Sequence, residues 1–129
     1  LDSLDGIKLL LLVSFGAILG SNVRFFIFNS LDEFFIKKQV KIILINNLAS
    51  FLLGFFSAII NNNSLDYSSK LGSLIIIGFL GSLSTFSTYI YDLFELSCSF
   101  QFSKMIRMLL SSIIFGLLFL SIGVFVGNQ

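Results

Sequence analysis

Four apolar stretches, each long enough to cross a bilayer as a helix, leave this chain few folds to choose from: about Ile7–Phe28, Ile42–Ile60, Leu71–Ser97 and Met105–Val126. Crossing ~30 Å of hydrocarbon at ~1.5 Å per residue takes ~20 such residues. The connections Asn29–Lys41, Asn61–Lys70 and Cys98–Lys104 are short and polar, and Asn61-Asn62-Asn63-Ser64 reads as a turn. Charged residues make up 12% of the chain, about half of the ~25% that a wetted surface requires. The reading is an all-α, multi-pass protein of the cell membrane, with one four-helix transmembrane domain over residues 1–129. Its first stretch is too long for a signal core and its polar residues do not resemble a cleavage site, so it belongs to the mature fold. The chain begins at Leu1 without Met, which leaves room for residues upstream.

Composition removes whole classes of function. A net charge of +1 without a basic tract gives nucleic acid nothing to hold. The single Cys98 rules out an internal disulfide and a cysteine metal cluster. There is no His, the usual proton carrier at neutral pH. No nucleophile stands with a base, so the chain is not read as an enzyme.

Function concentrates in the third stretch. Gly78-Phe79-Leu80-Gly81-Ser82-Leu83-Ser84-Thr85-Phe86-Ser87-Thr88-Tyr89 sets two glycines and five hydroxyl residues inside an apolar segment. Backbone that loosens at membrane depth survives only against protein or an aqueous cavity. Freed carbonyls and helix ends at such a break hold ions or substrates. The third helix is therefore expected to break near the bilayer midplane.

The other helices carry small residues four apart, Gly16 and Gly20, Ser50 with Gly54 and Ala58, and Ser112 with Gly116. Such stripes let backbones approach closely in lipid, and packing explains most of them. Packing does not explain Asn22, Arg24, Asn46 and Asn47, which are costly in hydrocarbon. Arg24 either snorkels to the headgroups or draws anions to a pore mouth. Asn46 extends the Ser50-Gly54-Ala58 stripe and faces the interior, whereas Asn47 points elsewhere. The Asn46 amide either donates to an anion or links helices. Phe86 and Tyr89, three apart, are expected to share one side of the resumed helix and to offer positive ring edges. Asp92 and Glu95 follow Phe86 by ~9–14 Å of helix, which places them at the interface, solvated.

Three motifs together resemble the small fluoride-specific ion channel family, called Fluc or CrcB. Gly16-Ala17-Ile18-Leu19-Gly20-Ser21-Asn22-Val23-Arg24-Phe25 is similar to its first-helix motif of spaced glycines ending in Arg and an aromatic. Asn46-Asn47-Leu48-Ala49-Ser50-Phe51-Leu52-Leu53-Gly54 resembles its second-helix pattern of Asn, Phe five later and Gly eight later. The Gly78–Tyr89 stretch resembles its third-helix signature, glycine-rich and then Thr-Phe-Ser-Thr-aromatic, and is the most specific of the three.

The resemblance implies an antiparallel dimer with two anion pores for fluoride and passive export that lowers its cytoplasmic level. It also implies a structural sodium ion at the dimer centre, held by backbone carbonyls that map to Gly81 and Ser84 and not transported. Neutral carbonyls suit a hard cation. Asn46, Phe86, Tyr89 and Ser112 map to the anion pore, with Arg24 as charge at its mouth. There are departures. Lys41-Ile42 stands where the family has Gly-Thr, Tyr89 replaces the second pore phenylalanine, and Met108 stands where some members carry a pore tyrosine.

Other readings compete with this one. A small four-helix multidrug exporter needs a carboxylate within the first helix, and Ile7–Phe28 has none. A non-conducting partner subunit of a heterodimeric fluoride channel, or a membrane scaffold, would pass no ion alone. Charge bears on the partner. Lys8 and Lys70 flank one side, against Arg24, Lys37, Lys38, Lys41, Lys104 and Arg107 on the other. Basic loops stay cytoplasmic, so loops one and three are expected inside and the termini outside. A fixed topology favours an oppositely inserted, related subunit over a homodimer.

Overall fold

A computed structural model describes residues 3–34, 36–63 and 70–129. Four helical spans, Ser3–Asp32, Lys38–Asn62, Lys70–Cys98 and Phe102–Gly127, are long and apolar enough to cross a membrane. We label the first two α1 and α2. The third divides into α3 (residues 70–83) and α4 (Phe86–Cys98), and the last span is α5 (Phe102–Gly127). The spans outrun the expected apolar stretches because their polar ends stay helical as they reach the headgroups. Asn61 and Asn62 accordingly belong to α2, and the turn begins only at Asn63, while Ser64 lies outside the described residues.

Small residues decide which helices touch. A Cβ on Gly16 would strike the Leu74 carbonyl, one on Gly20 the Phe79 carbonyl, and one on Gly78 the Val13 carbonyl. Residue numbers rise together along this contact, so α1 and α3 run parallel. A Cβ on Gly54 would strike the Leu120 carbonyl and one on Gly123 the Phe51 carbonyl, so α2 and α5 form a second parallel pair. Lipid supplies no hydrophobic force between helices, and close backbone approach replaces it. Side chains join the two pairs. Ala49, Leu80 and Leu83 form one buried cluster, and Ile42, Tyr89, Leu96 and Met108 form another.

The third span is irregular twice. Ser73–Leu80 is wound as a π-helix, which the sequence did not lead us to expect. Its β-branched run Ile75-Ile76-Ile77 crowds a regular α-turn. The helix then stops at Ser84 (φ −70°, ψ 151°) and Thr85 (φ −127°, ψ 99°), both extended, and resumes at Phe86. The expected break is present as a two-residue joint close to the middle of the span. Beyond α4, Phe100 takes a left-handed φ of 54°. This lets the Gln101 N–H reach the Leu96 carbonyl at 2.9 Å and closes the turn into α5.

Candidate functional site at the joint of the third span

Two extended residues in a helix leave backbone groups without their usual partners. Asn46, from α2, meets the need. Its Oδ1 accepts the Thr85 N–H at 2.8 Å and its Nδ2 donates to the Thr85 carbonyl at 3.4 Å. The backbone N–H can only donate, which fixes the orientation of the amide. In an unbroken helix that N–H would go to the Gly81 carbonyl, four residues back. Asn46 thus takes from Gly81 the donor that continued helix would give it. Asn46 links helices, as one of its two readings held, and one of its N–H donors is left over.

On one side of the joint lies an open cleft of about 470 Å³, bordered by Asn46, Ser50, Gly81, Ser84, Thr85 and Phe86. On the other lies a recess of about 410 Å³, bordered by Ser21, Arg24, Asn29, Thr85 and Thr88. Arg24 turns inward: its Nη1 donates to the Ser84 carbonyl at 3.5 Å. The Thr85 hydroxyl donates to Thr88 Oγ1 at 2.9 Å, so Thr85 borders both spaces with its polar groups engaged. Thr85 and Thr88 were not singled out in the sequence, although the hydroxyl-rich motif contains them. Their neighbours Phe86 and Asn46 drew the attention.

The expected site residues divide into two sets. Asn46, Gly81, Ser84 and Phe86 come together on the cleft, and Arg24 reaches Ser84 from behind. Phe86 is 75% exposed, whereas Tyr89 is 8% exposed and packs with Ile42, Leu96 and Met108. The two rings do not share one environment. The face of α4 that carries Tyr89, Asp92 and Leu96 turns into the bundle, and Phe86 sits beyond its edge. The Tyr89 hydroxyl is buried without a hydrogen-bond partner among the described residues. Ser112 is half-buried one turn before Gly116, itself beside Ser50, so the parallel register sets Ser112 level with Asn46.

Asp92 departs from expectation. It is 2% exposed, not solvated, and Lys38 from the first turn of α2 bonds its Oδ1 at 3.1 Å. Lys41, also buried, pairs with Asp32 and sits 4.8 Å from the centre of the Phe28 ring. Burial is tolerated because each charge meets its opposite. Glu95 is exposed, as expected.

Among the described residues no group of His, Cys, Asp or Glu could hold a metal. A cation at the joint would depend on carbonyl oxygens. Gly81 suits that chemistry, since it borders the open cleft and has lost its i+4 donor to Asn46, whereas the Ser84 carbonyl, also on the cleft, already accepts from Arg24 and has one lone pair to give. Two carbonyls do not complete a coordination shell, and a cation there would need further oxygen ligands.

Comparison with known proteins identifies the family. The family model described as CrcB-like protein, Camphor Resistance (CrcB), matches residues 11–124. The chain is 39% identical to the fluoride-specific ion channel FluC 2 of Prochlorococcus marinus strain NATL2A, covering 93% of this chain and 98% of that one. It is 31% identical to the fluoride-specific ion channel FluC of Aquifex aeolicus, covering 91% and 94%. A joint spanned by an asparagine, bordered by hydroxyls and an exposed phenylalanine in a four-span bundle, thus has its relatives named, and the chain belongs to the CrcB/FluC family of fluoride-specific ion channels, multi-pass membrane proteins that are not enzymes.

Proposed function

We propose that the chain is one subunit of a dimeric channel through which fluoride leaves the cytoplasm passively, lowering its internal concentration. The observation that carries this reading is the cleft at the joint, where neutral donors meet an exposed aromatic edge. A small anion must be held strongly enough to enter and weakly enough to leave. Asn46 has an N–H to offer, and the positive edge of Phe86 attracts an anion without the grip of a full charge. Arg24 adds its field from the recess behind. Ser112, level with Asn46, and the unpartnered Tyr89 hydroxyl are assigned to the same path. The Gly81 and Ser84 carbonyls are this subunit's share of the sodium site. A hard cation held there would supply positive charge between the two subunits, the second of which is taken to insert in the opposite orientation.

A second reading has an observation of its own. Ile42, Tyr89 and Met108 close into one apolar cluster where the family carries polar or phenylalanine residues. This supports a subunit that conducts poorly on its own and serves a heterodimer. The exporter alternative falls with the family, and the described carboxylates of α1, Asp5 and Asp32, stand at its ends.

Fluoride efflux from liposomes, with this chain alone and with a related subunit, tests the reading. Phe86→Ile is expected to abolish flux and leave assembly intact. Undiminished flux removes Phe86 from the path.

A further inference from the structure

Away from the joint, the seam between α2 and α5 opens into a groove. At its basic end a cavity of about 210 Å³ is bordered by Gln39, Lys104 and Arg107. It shares Val40, Ile43 and Ser111 with a second cavity of about 340 Å³. That one shares Leu44, Asn47 and Phe119 with a third, of about 270 Å³. One end is cationic and the rest is walled by aliphatic and aromatic side chains.

We propose that this groove binds one anionic phospholipid, its phosphate on Lys104 and Arg107 and one acyl chain along the apolar walls to Phe119. Three observations carry the assignment. At the same end of the bundle Lys38 and Lys41 are matched by Asp92 and Asp32, whereas Lys104 and Arg107 form no ion pair among the described residues. Basic pockets between membrane helices take anionic headgroups for that reason. The second is length. From Arg107 to Phe119 the helix rises ~18 Å, close to the ~15 Å depth of one leaflet's hydrocarbon. The third is Asn47, 6% exposed on the groove and without a hydrogen bond among the described residues. An unsatisfied amide in a bilayer is costly. Asn47 and Ser111 lie ~6–9 Å deeper than Arg107, where the glycerol esters hang below a phosphate and accept hydrogen bonds. Zwitterionic lipid fills the same walls but cancels the charge at the head.

The chain has no Trp, so Phe119→Trp gives a single reporter within the groove. The full chain carrying it is placed in phosphatidylcholine bilayers containing a minor fraction of brominated lipid. Brominated phosphatidylglycerol is expected to quench the reporter far more than brominated phosphatidylcholine. Each basic residue contributes roughly a fivefold preference, or ~25-fold for the pair. Adding K104Q and R107Q should remove the preference, while K8Q and K70Q at the opposite end should leave it. Unquenched emission that matches across variants shows that the fold is kept, and R107Q alone gives a milder second variant. Equal quenching by the two lipids overturns the proposal, as does a preference that survives K104Q and R107Q.

Discussion

Asn46 and Thr85 hold each other as two backbone strands would: the Thr85 N–H donates to Oδ1 at 2.8 Å, and Nδ2 donates to the Thr85 carbonyl at 3.4 Å. One side chain thereby stabilises a non-helical backbone inside a membrane span and leaves the Gly81 carbonyl without its helical donor. In the proposed channel, structure and conduction would both depend on this amide. That coupling makes variants of Asn46 informative in a way that variants of Asn47 are not.

Asn46→Leu leaves the Thr85 N–H unpaired, at a cost of about 1–3 kcal/mol. It should lower both thermal stability and fluoride flux. Asn46→Asp keeps the acceptor for that N–H but adds negative charge to the anion path. It should retain most of the stability and lose flux. Asn47→Leu, on the α2–α5 groove, should leave flux near its starting level. Equal flux losses for Asn46→Leu and Asn47→Leu would remove Asn46 from the path.

Gly81 separates the fold of the subunit from its assembly. Its backbone sits at φ −62°, open to any residue, and an added Cβ would find only the Ile76 carbonyl, 4.0 Å away. Gly81→Val is therefore expected to leave the subunit folded. Loss should appear only where another chain or a cation meets the cleft, as weaker dimerisation or weaker dependence on sodium. Ser84→Ala should be mild, because the role proposed for Ser84 uses its carbonyl and not its hydroxyl. A severe Ser84→Ala loss in a well-folded subunit would implicate the hydroxyl. Gly78→Val makes the contrast, since its Cβ would meet the backbone of α1 and unfold the bundle.

Lys38 and Asp92 predict a sign reversal. Lys38→Met strands a buried carboxylate, whose second oxygen already lacks a partner. The Lys38 side chain is half in water, which cuts the cost of a broken buried pair to about 1–3 kcal/mol. Combining it with Asp92→Leu should recover most of that loss, because no charge is left behind. Thermal unfolding of the two single variants and the double variant checks this. A double variant as unstable as the sum of the singles would show that the pair does not act as a unit.

What was legible in the chain followed from lengths and small residues. Four spans came from apolar run length, the close helix pairs from Gly16, Gly20, Ser50, Gly54 and Ala58, and the joint from glycines and hydroxyls in the third stretch. Asn46 does reach Thr85, in keeping with its register with that stripe, but Asn47, which was expected to point elsewhere, is the more buried of the two. Three features were hidden, and the first two depend on how one helix is rotated against its neighbours. Tyr89 and Asp92 turn inward because α4 packs that face on α2 and α5, which sequence spacing does not state. Lys41, an expensive residue in isolation, is buried because Asp32 comes from a different helix. The π-helical Ser73–Leu80 has no proline or insertion to announce it.

Orientation is the last prediction, and it bears on what this subunit pairs with. Six basic residues lie toward the end where α2 and α5 begin, and Lys8 and Lys70 toward the other. Ion pairing at the basic end does not offset the bias, because orientation follows the count of Lys and Arg rather than net charge. The chain should insert one way, with its termini outside. An antiparallel homodimer requires one sequence to insert both ways, which calls for nearly balanced loops. A single orientation thus supports a related subunit inserted oppositely, and the apolar Ile42–Tyr89–Met108 cluster fits a division of labour between the two. Reporters active on only one side of the membrane, fused to the C-terminus, measure this directly. Signal from the outer compartment alone is expected, with fluoride efflux rising when the second subunit is supplied. Equal signal from both compartments would establish dual insertion and sink the heterodimer.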